Sequence, residues 1–178
     1  MFNTQQEKDW KYWNVDYDSV RARAIETGMR HVRYPFEDFS ADSLREGLPS
    51  AAAMLDAEIE RGETVYLHCT AGMGRSPGLA IAYMYWFLDA YNTLDGAYEG
   101  LTSIRPCGPK KESIRGATCD LLAAIESDGK VEPLKRELEE NEGVVLSIVS
   151  KERIKRAVRA MLLSTSDETD TKPWWKIW

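Results

Sequence analysis

The spacing of apolar residues changes from segment to segment along this chain, and each spacing predicts an element. Thr64, Val65, Tyr66 and Leu67 form a β-branched and aromatic run, and His31, Val32, Arg33 and Tyr34 form another; both read as short strands. From Ser76 to Tyr91 the pattern becomes helical, with Pro77 suited to the first turn. Leu79, Ala80, Ile81, Ala82, Tyr83, Met84, Tyr85 and Trp86 make this helix apolar nearly all round, which predicts burial and places Trp86 and Phe87 in the core. Residues 126–164 are charged, yet Leu134, Leu138, Val144, Val145, Ile148, Ile154, Val158 and Met161 recur at roughly helical spacing. That pattern predicts amphipathic pieces laid against the domain, with the basic run from Lys151 to Arg159 as a solvated face. Residues 165–178 start polar and acidic, which reads as disorder, and end in Trp174, Trp175, Lys176, Ile177 and Trp178, whose tryptophans are expected to dock on the body.

Between the predicted strand at 64–67 and the helix from Ser76 lies His68-Cys69-Thr70-Ala71-Gly72-Met73-Gly74-Arg75, then Ser76 and Pro77. A cysteine and an arginine thus flank a glycine-punctuated loop at a helix N-terminus. A free thiol is mostly protonated near neutral pH, because its reference pKa is about 8.5 and only the thiolate is a good nucleophile. The backbone N–H groups of Thr70, Ala71, Gly72, Met73 and Gly74, the positive helix end and the Arg75 guanidinium all favour an anion at Cys69. The same groups suit a phosphate dianion. Arg75 offers a planar fork matched to two phosphate oxygens. Gly72 and Gly74 permit a tight turn and close approach. Ser76 is placed to donate to the Cys69 sulfur and stabilise it as a leaving group.

A thiolate displacing an alkoxide from phosphate needs a proton donor on the departing oxygen. Asp38 is a candidate, in the segment Pro35-Phe36-Glu37-Asp38-Phe39-Ser40 that leaves the predicted strand at 31–34. Glu37 and Asp42 compete for the role on composition alone. Among the aromatics, Trp13 is expected to be exposed because Lys8, Asp9, Lys11 and Asp16 surround it in the sequence.

These residues resemble a known family. Cys69-Thr70-Ala71-Gly72-Met73-Gly74-Arg75 is similar to the loop of the glucan phosphatases, a branch of the dual-specificity phosphatases that includes laforin and the plant starch-excess proteins. The resemblance extends through Gln5-Gln6-Glu7-Lys8-Asp9, Tyr12-Trp13, Val15-Asp16, Asp38-Phe39, Leu48-Pro49, Ala82-Tyr83-Met84-Tyr85-Trp86, Arg105-Pro106-Cys107-Gly108-Pro109 and Ile114-Arg115-Gly116-Ala117-Thr118. It implies an α/β fold of the cysteine-phosphatase type, a central mostly parallel sheet flanked by helices. It also implies hydrolysis of phosphate monoesters on starch-like α-glucans through a phosphocysteine intermediate, with no cofactor. Cys69 is then the nucleophile, Arg75 the phosphate clamp and Asp38 the general acid. Tyr12, Trp13 and Phe39, with Met73 of the loop, match positions that cover sugar rings, whose apolar faces suit aromatic surfaces. By the same resemblance, residues 1–125 form the catalytic domain, 126–164 a C-terminal helical motif packing on it, and 165–178 a tail. The family pattern also implies strands ahead of the Gln5-Gln6 block, so early strands of the sheet are expected to be missing and an edge left open.

Composition bounds the alternatives. A formal net charge of −6 over 178 residues argues against broad nucleic-acid or anionic-membrane binding. Cys69, Cys107 and Cys119 do not make a secreted disulfide framework, so a reducing compartment is expected, and Cys107 is read as a free thiol. Two histidines without metal-ligand spacing predict no metal site. No apolar run is long enough to span a bilayer, and no targeting segment is recognisable. A monomer is expected, in the plastid stroma by resemblance or in the cytoplasm. Two other readings compete: a dual-specificity protein phosphatase with identical chemistry but a cleft lined for phosphopeptides, and a catalytically silent glucan-binding protein.

Overall fold

The computed structural model describes residues 1–126 and 145–164. Three parallel strands, β1 (Phe2–Asn3), β2 (Val32–Arg33) and β3 (Leu67–His68), form a sheet in the order β2-β1-β3. Phe2 pairs with Val32 on one side and Leu67 on the other. Flanking bonds lengthen the pairing: Phe2 N donates to Tyr66 O at 2.8 Å, Thr4 N to His68 O at 2.9 Å, and Tyr34 N to Asn3 O at 3.0 Å. The strands predicted at 31–34 and 64–67 are shorter than the patterns suggest, because each pairs only where β1 runs alongside. β1 is too short to show a two-residue period, so patterning does not predict it, yet it is the middle strand and Phe2 is fully buried. The open edges lie at β2 and β3 among the described residues.

Seven described helices surround this sheet: α1 (Glu7–Tyr12), α2 (Tyr17–Glu26), α3 (Ala41–Glu60), α4 (Arg75–Phe87), α5 (Leu94–Thr102), α6 (Lys111–Glu126) and α7 (Ile148–Ser164). Several starts are fixed by side chains that accept from exposed backbone N–H groups. The Asp16 carboxylate accepts from Ser19 N, the Ser40 hydroxyl from Ser43 N and the Thr93 hydroxyl from Gly96 N. The core forms where Leu44, Leu48, Ala51, Ala52 and Leu55 of α3 meet Leu79, Ile81, Ala82 and Trp86 of α4 and Ile114, Ala117 and Leu121 of α6. Trp86 and Phe87 are buried as expected, and Trp86 Nε1 donates to the Thr118 hydroxyl at 2.9 Å, which satisfies the indole without water. α4 stops at Phe87 rather than Tyr91 because Leu88 turns extended, with ψ of 128°.

The basic run on α7 is solvated at Arg153, Arg156 and Arg159, as expected, but Lys151 departs from that face. Lys151 is only 1% exposed, and its ammonium donates to the carbonyls of Leu88 and Tyr91 just past α4, using the charge to satisfy the chain after a helix C-terminus. Burial holds its pKa below the ordinary lysine value. Arg159 reaches α3, where it donates to Asp56 at 2.6 Å and Glu60 at 2.9 Å. Ile154 and Val158 are fully buried and Met161 packs beside the core, but Val145 and Ile148 are exposed. Val145 precedes the helix and bridges Thr93, while Ile148 opens its first turn. Leu134, Leu138, Val144 and the residues from 165 onward lie outside the described residues. No described helix is long and apolar enough to cross a membrane.

All three strands run the same way, so their C-terminal ends share one edge of the sheet. The chain leaves β1 toward α1, β2 toward the segment holding Asp38, and β3 toward the loop from Cys69 to Arg75. Parallel sheets gather ligands at this edge because the connecting loops and helix N-termini converge there.

Candidate active site

Cys69 directly follows β3 and is 7% exposed. Gly72 N donates to its sulfur at 3.2 Å, and the Ser76 hydroxyl donates to it at 3.3 Å. Burial works against a thiolate here, but the hydroxyl and backbone N–H of Ser76, the N–H of Gly72 and the Arg75 charge outweigh it and hold the thiol below its ordinary pKa. The loop curls around the sulfur because Gly72 adopts φ of +69°, a conformation open to glycine. Arg105 covers this turn closely, since a Cβ built on Gly72 would come within 2.1 Å of its guanidinium. Gly74 differs from the expectation of two equivalent glycines. Its φ is −123°, and a Cβ there would meet nothing within 4 Å. Gly108 N donates to Met73 O at 3.0 Å, which ties the loop's far side to the segment before α6.

Arg75 opens α4 and is 4% exposed. Its guanidinium binds both oxygens of Asp9, with NH1 donating to Oδ2 at 2.7 Å and NH2 to Oδ1 at 3.0 Å. NH2 also donates to Asp38 Oδ2 at 3.1 Å and to the Thr70 hydroxyl at 3.0 Å. Nε is buried and has no hydrogen-bond partner among the described residues. Burial alone lowers the pKa of a guanidinium, but Asp9, Asp38 and Cys69 reverse this and raise it, so Arg75 keeps its charge.

Asp9 is a functional residue that the sequence did not reveal. It lies in α1 and is 9% exposed, where Gln6 N and the Thr70 hydroxyl donate to it besides Arg75. Burial favours its neutral form, yet these donors and the Arg75 charge hold its pKa below the ordinary value. Its sequence signal is only its place in the Gln5-Gln6-Glu7-Lys8-Asp9 block. Of the three carboxylates weighed for the acid, the structure brings Asp38 onto Arg75, whereas Glu37 pairs with Lys8 at 3.0 Å on the surface and Asp42 lies exposed in the first turn of α3.

The expected sugar-covering residues are all exposed: Tyr12 at 80%, Trp13 at 62%, Phe39 at 87% and Met73 at 49%. Tyr12 and Trp13 stand edge to face at 5.1 Å, at the end of the helix that supplies Asp9. Phe39 follows Asp38 and is held at φ of +63°, with its carbonyl accepting from Lys110 Nζ at 2.7 Å. A bulky residue in that backbone region stores strain, which folds tolerate most often at functional sites. Tyr12 and Trp13 thus follow Asp9 by three and four positions, and Phe39 directly follows Asp38. Cys69, Cys107 and Cys119 are free thiols.

Comparison with known proteins agrees with this geometry. The model of the dual specificity phosphatase catalytic domain matches residues 2–114. The chain is 37% identical over 127 residues to the amyloplastic phosphoglucan phosphatase DSP4 of Castanea sativa, covering 70% of this chain and 33% of that protein. It is 30% identical over 130 residues to the chloroplastic phosphoglucan phosphatase LSF1 of Arabidopsis thaliana, covering 73% of this chain and 22% of that protein. With laforin of Mus musculus the identity is 35% over 71 residues, covering 40% of this chain and 22% of that protein. The chain thus spans a third or less of the length of these curated relatives. With a catalytic-domain match over more than half of its residues, this chain belongs to the dual-specificity phosphatase family.

Proposed function

We propose that this protein is a phosphoglucan phosphatase, a phosphoric monoester hydrolase acting on phosphorylated starch-like α-glucans. The observation that carries the substrate is the exposure of Tyr12 and Trp13, three and four positions after Asp9, and of Phe39, directly after Asp38, because solvent-facing rings on the segments that supply the partners of Arg75 offer a surface for the apolar faces of sugars. In the reaction, the Cys69 thiolate attacks phosphorus, the P–O bond to the sugar breaks, and the carboxylic acid of Asp38 gives its proton to the departing oxygen. The phosphoryl group is then on sulfur. Water, losing a proton to the Asp38 carboxylate, attacks it, and the thiolate leaves with the Ser76 hydroxyl supporting its charge. Through both steps Arg75 Nε and the backbone N–H groups of residues 70–74 hold the equatorial oxygens. Residues 1–125 act as the catalytic domain, with α7 as its C-terminal brace. Phosphoglucan phosphatase names in amyloplast and chloroplast relatives support a plastid location.

Phosphate release from solubilised starch, an aryl phosphate and a phosphopeptide separates the readings. Preference for starch, with Trp13→Ala lowering turnover of starch much more than of aryl phosphate, supports the proposal. Preference for the phosphopeptide would assign a protein phosphatase instead, and no turnover of any substrate would leave a glucan-binding role.

A further inference from the structure

Away from the phosphate loop, α2, β2, α3 and α7 enclose a cavity of about 430 Å3, a size that suits a small organic ligand. Neither Cys69 nor Arg75 lines it. Among the described residues four arginines line it, Arg21, Arg30, Arg33 and Arg61, against one carboxylate, Glu58, although the Arg33 guanidinium itself lies over the Trp10 ring and donates to Gln5 O at 3.2 Å. That carboxylate is shared, since the same Glu58 oxygen lies 3.0 Å from Arg30 and 4.0 Å from Arg61. In a chain of net charge −6, the wall is therefore a local concentration of positive charge.

The hydrogen-bonding character of the wall is equally one-sided. His31 lines the cavity, and burial together with surrounding positive charge, including Arg21 and Arg33, pushes its pKa down to about 4. The imidazole is neutral at physiological pH. Its Nδ1 lies 3.3 Å from the Tyr17 hydroxyl, and its Nε2 is buried with no hydrogen-bond partner among the described residues. Among the described lining residues arginines thus outnumber carboxylates, and an anion rich in oxygens complements them. The remaining wall is apolar: Val32, Met54, Ala57 and Leu162, with the ring of Tyr17 braced by stacking on Trp10 at 3.6 Å.

We propose that this cavity is a second anion site, taking a small organic phosphate with at least two negative charges on a compact, partly apolar body. The guanidinium groups hold the phosphate oxygens, and the apolar wall covers the body and selects against bare ions. The inference uses none of the catalytic residues, so it stands or falls separately from the phosphatase reading.

The test is calorimetry on the full chain carrying Cys69→Ser, which prevents turnover, with fructose 1,6-bisphosphate as probe and inorganic phosphate in parallel. Saturable binding of the bisphosphate is expected, tighter than that of phosphate and weakened roughly tenfold or more by Arg21→Ala with Arg61→Ala. The same double substitution in the Cys69 protein should leave aryl phosphate turnover and the melting temperature unchanged, and Arg21→Lys with Arg61→Lys should retain part of the affinity. The proposal is overturned if the bisphosphate does not bind, if its affinity ignores both double variants, if Arg75→Ala abolishes it instead, or if inorganic phosphate binds as tightly.

Discussion

The two oxygens of Asp9 accept from the two terminal nitrogens of Arg75, joining helices α1 and α4 across the sheet edge in a pair that is almost fully buried. The pair fixes the plane of the guanidinium and leaves Nε with no hydrogen-bond partner among the described residues. Breaking a buried ion pair by removing one partner costs about 3–5 kcal/mol, and because Asp38 and Thr70 remain on NH2, Asp9→Ala should fall near the low end, at about 3 kcal/mol. Denaturant unfolding measures that loss. Aryl phosphate kinetics should show kcat/KM falling roughly 10- to 100-fold, since the clamp is no longer held in register. Asp9→Asn, which keeps one acceptor oxygen but not the charge, should lose less on both measures. Equal loss in the two variants would show that the charge, not the geometry, is what Asp9 supplies.

The depressed pKa of Asp9 gives this pair a pH signature. A carboxyl group lowered on folding contributes stability that is present above its unfolded value, about 3.9, and is lost as pH falls through the lower folded value. Thermal unfolding of the native protein should therefore fall more steeply below about pH 4 than that of Asp9→Asn.

Cys69 titrates below an ordinary thiol, so its thiolate persists under the usual value of about 8.5 and disappears only as pH falls through the lowered one. Alkylation by iodoacetamide, followed by mass at Cys69, should have its pH midpoint below about 8.5, with Cys107 reacting at higher pH because burial raises its thiol. Ser76→Ala removes the hydroxyl at 3.3 Å and should move the Cys69 midpoint upward. It should also slow release of phosphate from the phosphocysteine more than its formation, which a burst in aryl alcohol release would reveal. An unmoved midpoint would mean that the backbone N–H groups and the Arg75 charge set the thiol's acidity without the hydroxyl.

As the proposed general acid, Asp38 should have an effect that scales with how badly the leaving group needs the proton. Asp38→Ala is expected to slow a sugar phosphate roughly 100-fold or more and an activated nitrophenyl phosphate much less. A uniform loss across leaving groups would assign Asp38 to holding Arg75 instead, a role its 3.1 Å contact also permits.

The strand-loop-helix that carries Cys69 and Arg75 is legible in the chain because it lies within one loop and one helix start. Trp86 and Trp13 are legible too, one from an apolar helix and the other from its charged neighbours. Asp9 is not. Beside Glu7, Lys8 and Lys11 it reads as part of a solvated surface, and its partner is 66 positions away, brought near only because β1 pairs with β3. Lys151 fails for the same reason: its basic neighbours suggest solvent, while its actual partners are the carbonyls of Leu88 and Tyr91. Local pattern records a residue's neighbours in sequence, and a long-range polar pair leaves no periodic trace.

The two loop glycines offer a test of the local geometry. Gly72 needs positive φ, which costs an alanine about 1–2 kcal/mol, and its Cβ would also have to displace the Arg105 guanidinium. That guanidinium is the end of a flexible side chain, so the steric part relaxes and the backbone cost remains. Gly72→Ala should therefore destabilise by about 1–2 kcal/mol, and it should weaken the Gly72 N–H bond to the Cys69 sulfur, raising the thiol's alkylation midpoint. Gly74→Ala, with φ of −123° and open space around its Cβ, should change stability by less than about 0.5 kcal/mol and leave that midpoint in place. Chemical denaturation and alkylation profiles of the two variants measure both effects. If Gly74→Ala shifted the midpoint as much as Gly72→Ala, the positive φ would not be what shapes the loop around the sulfur.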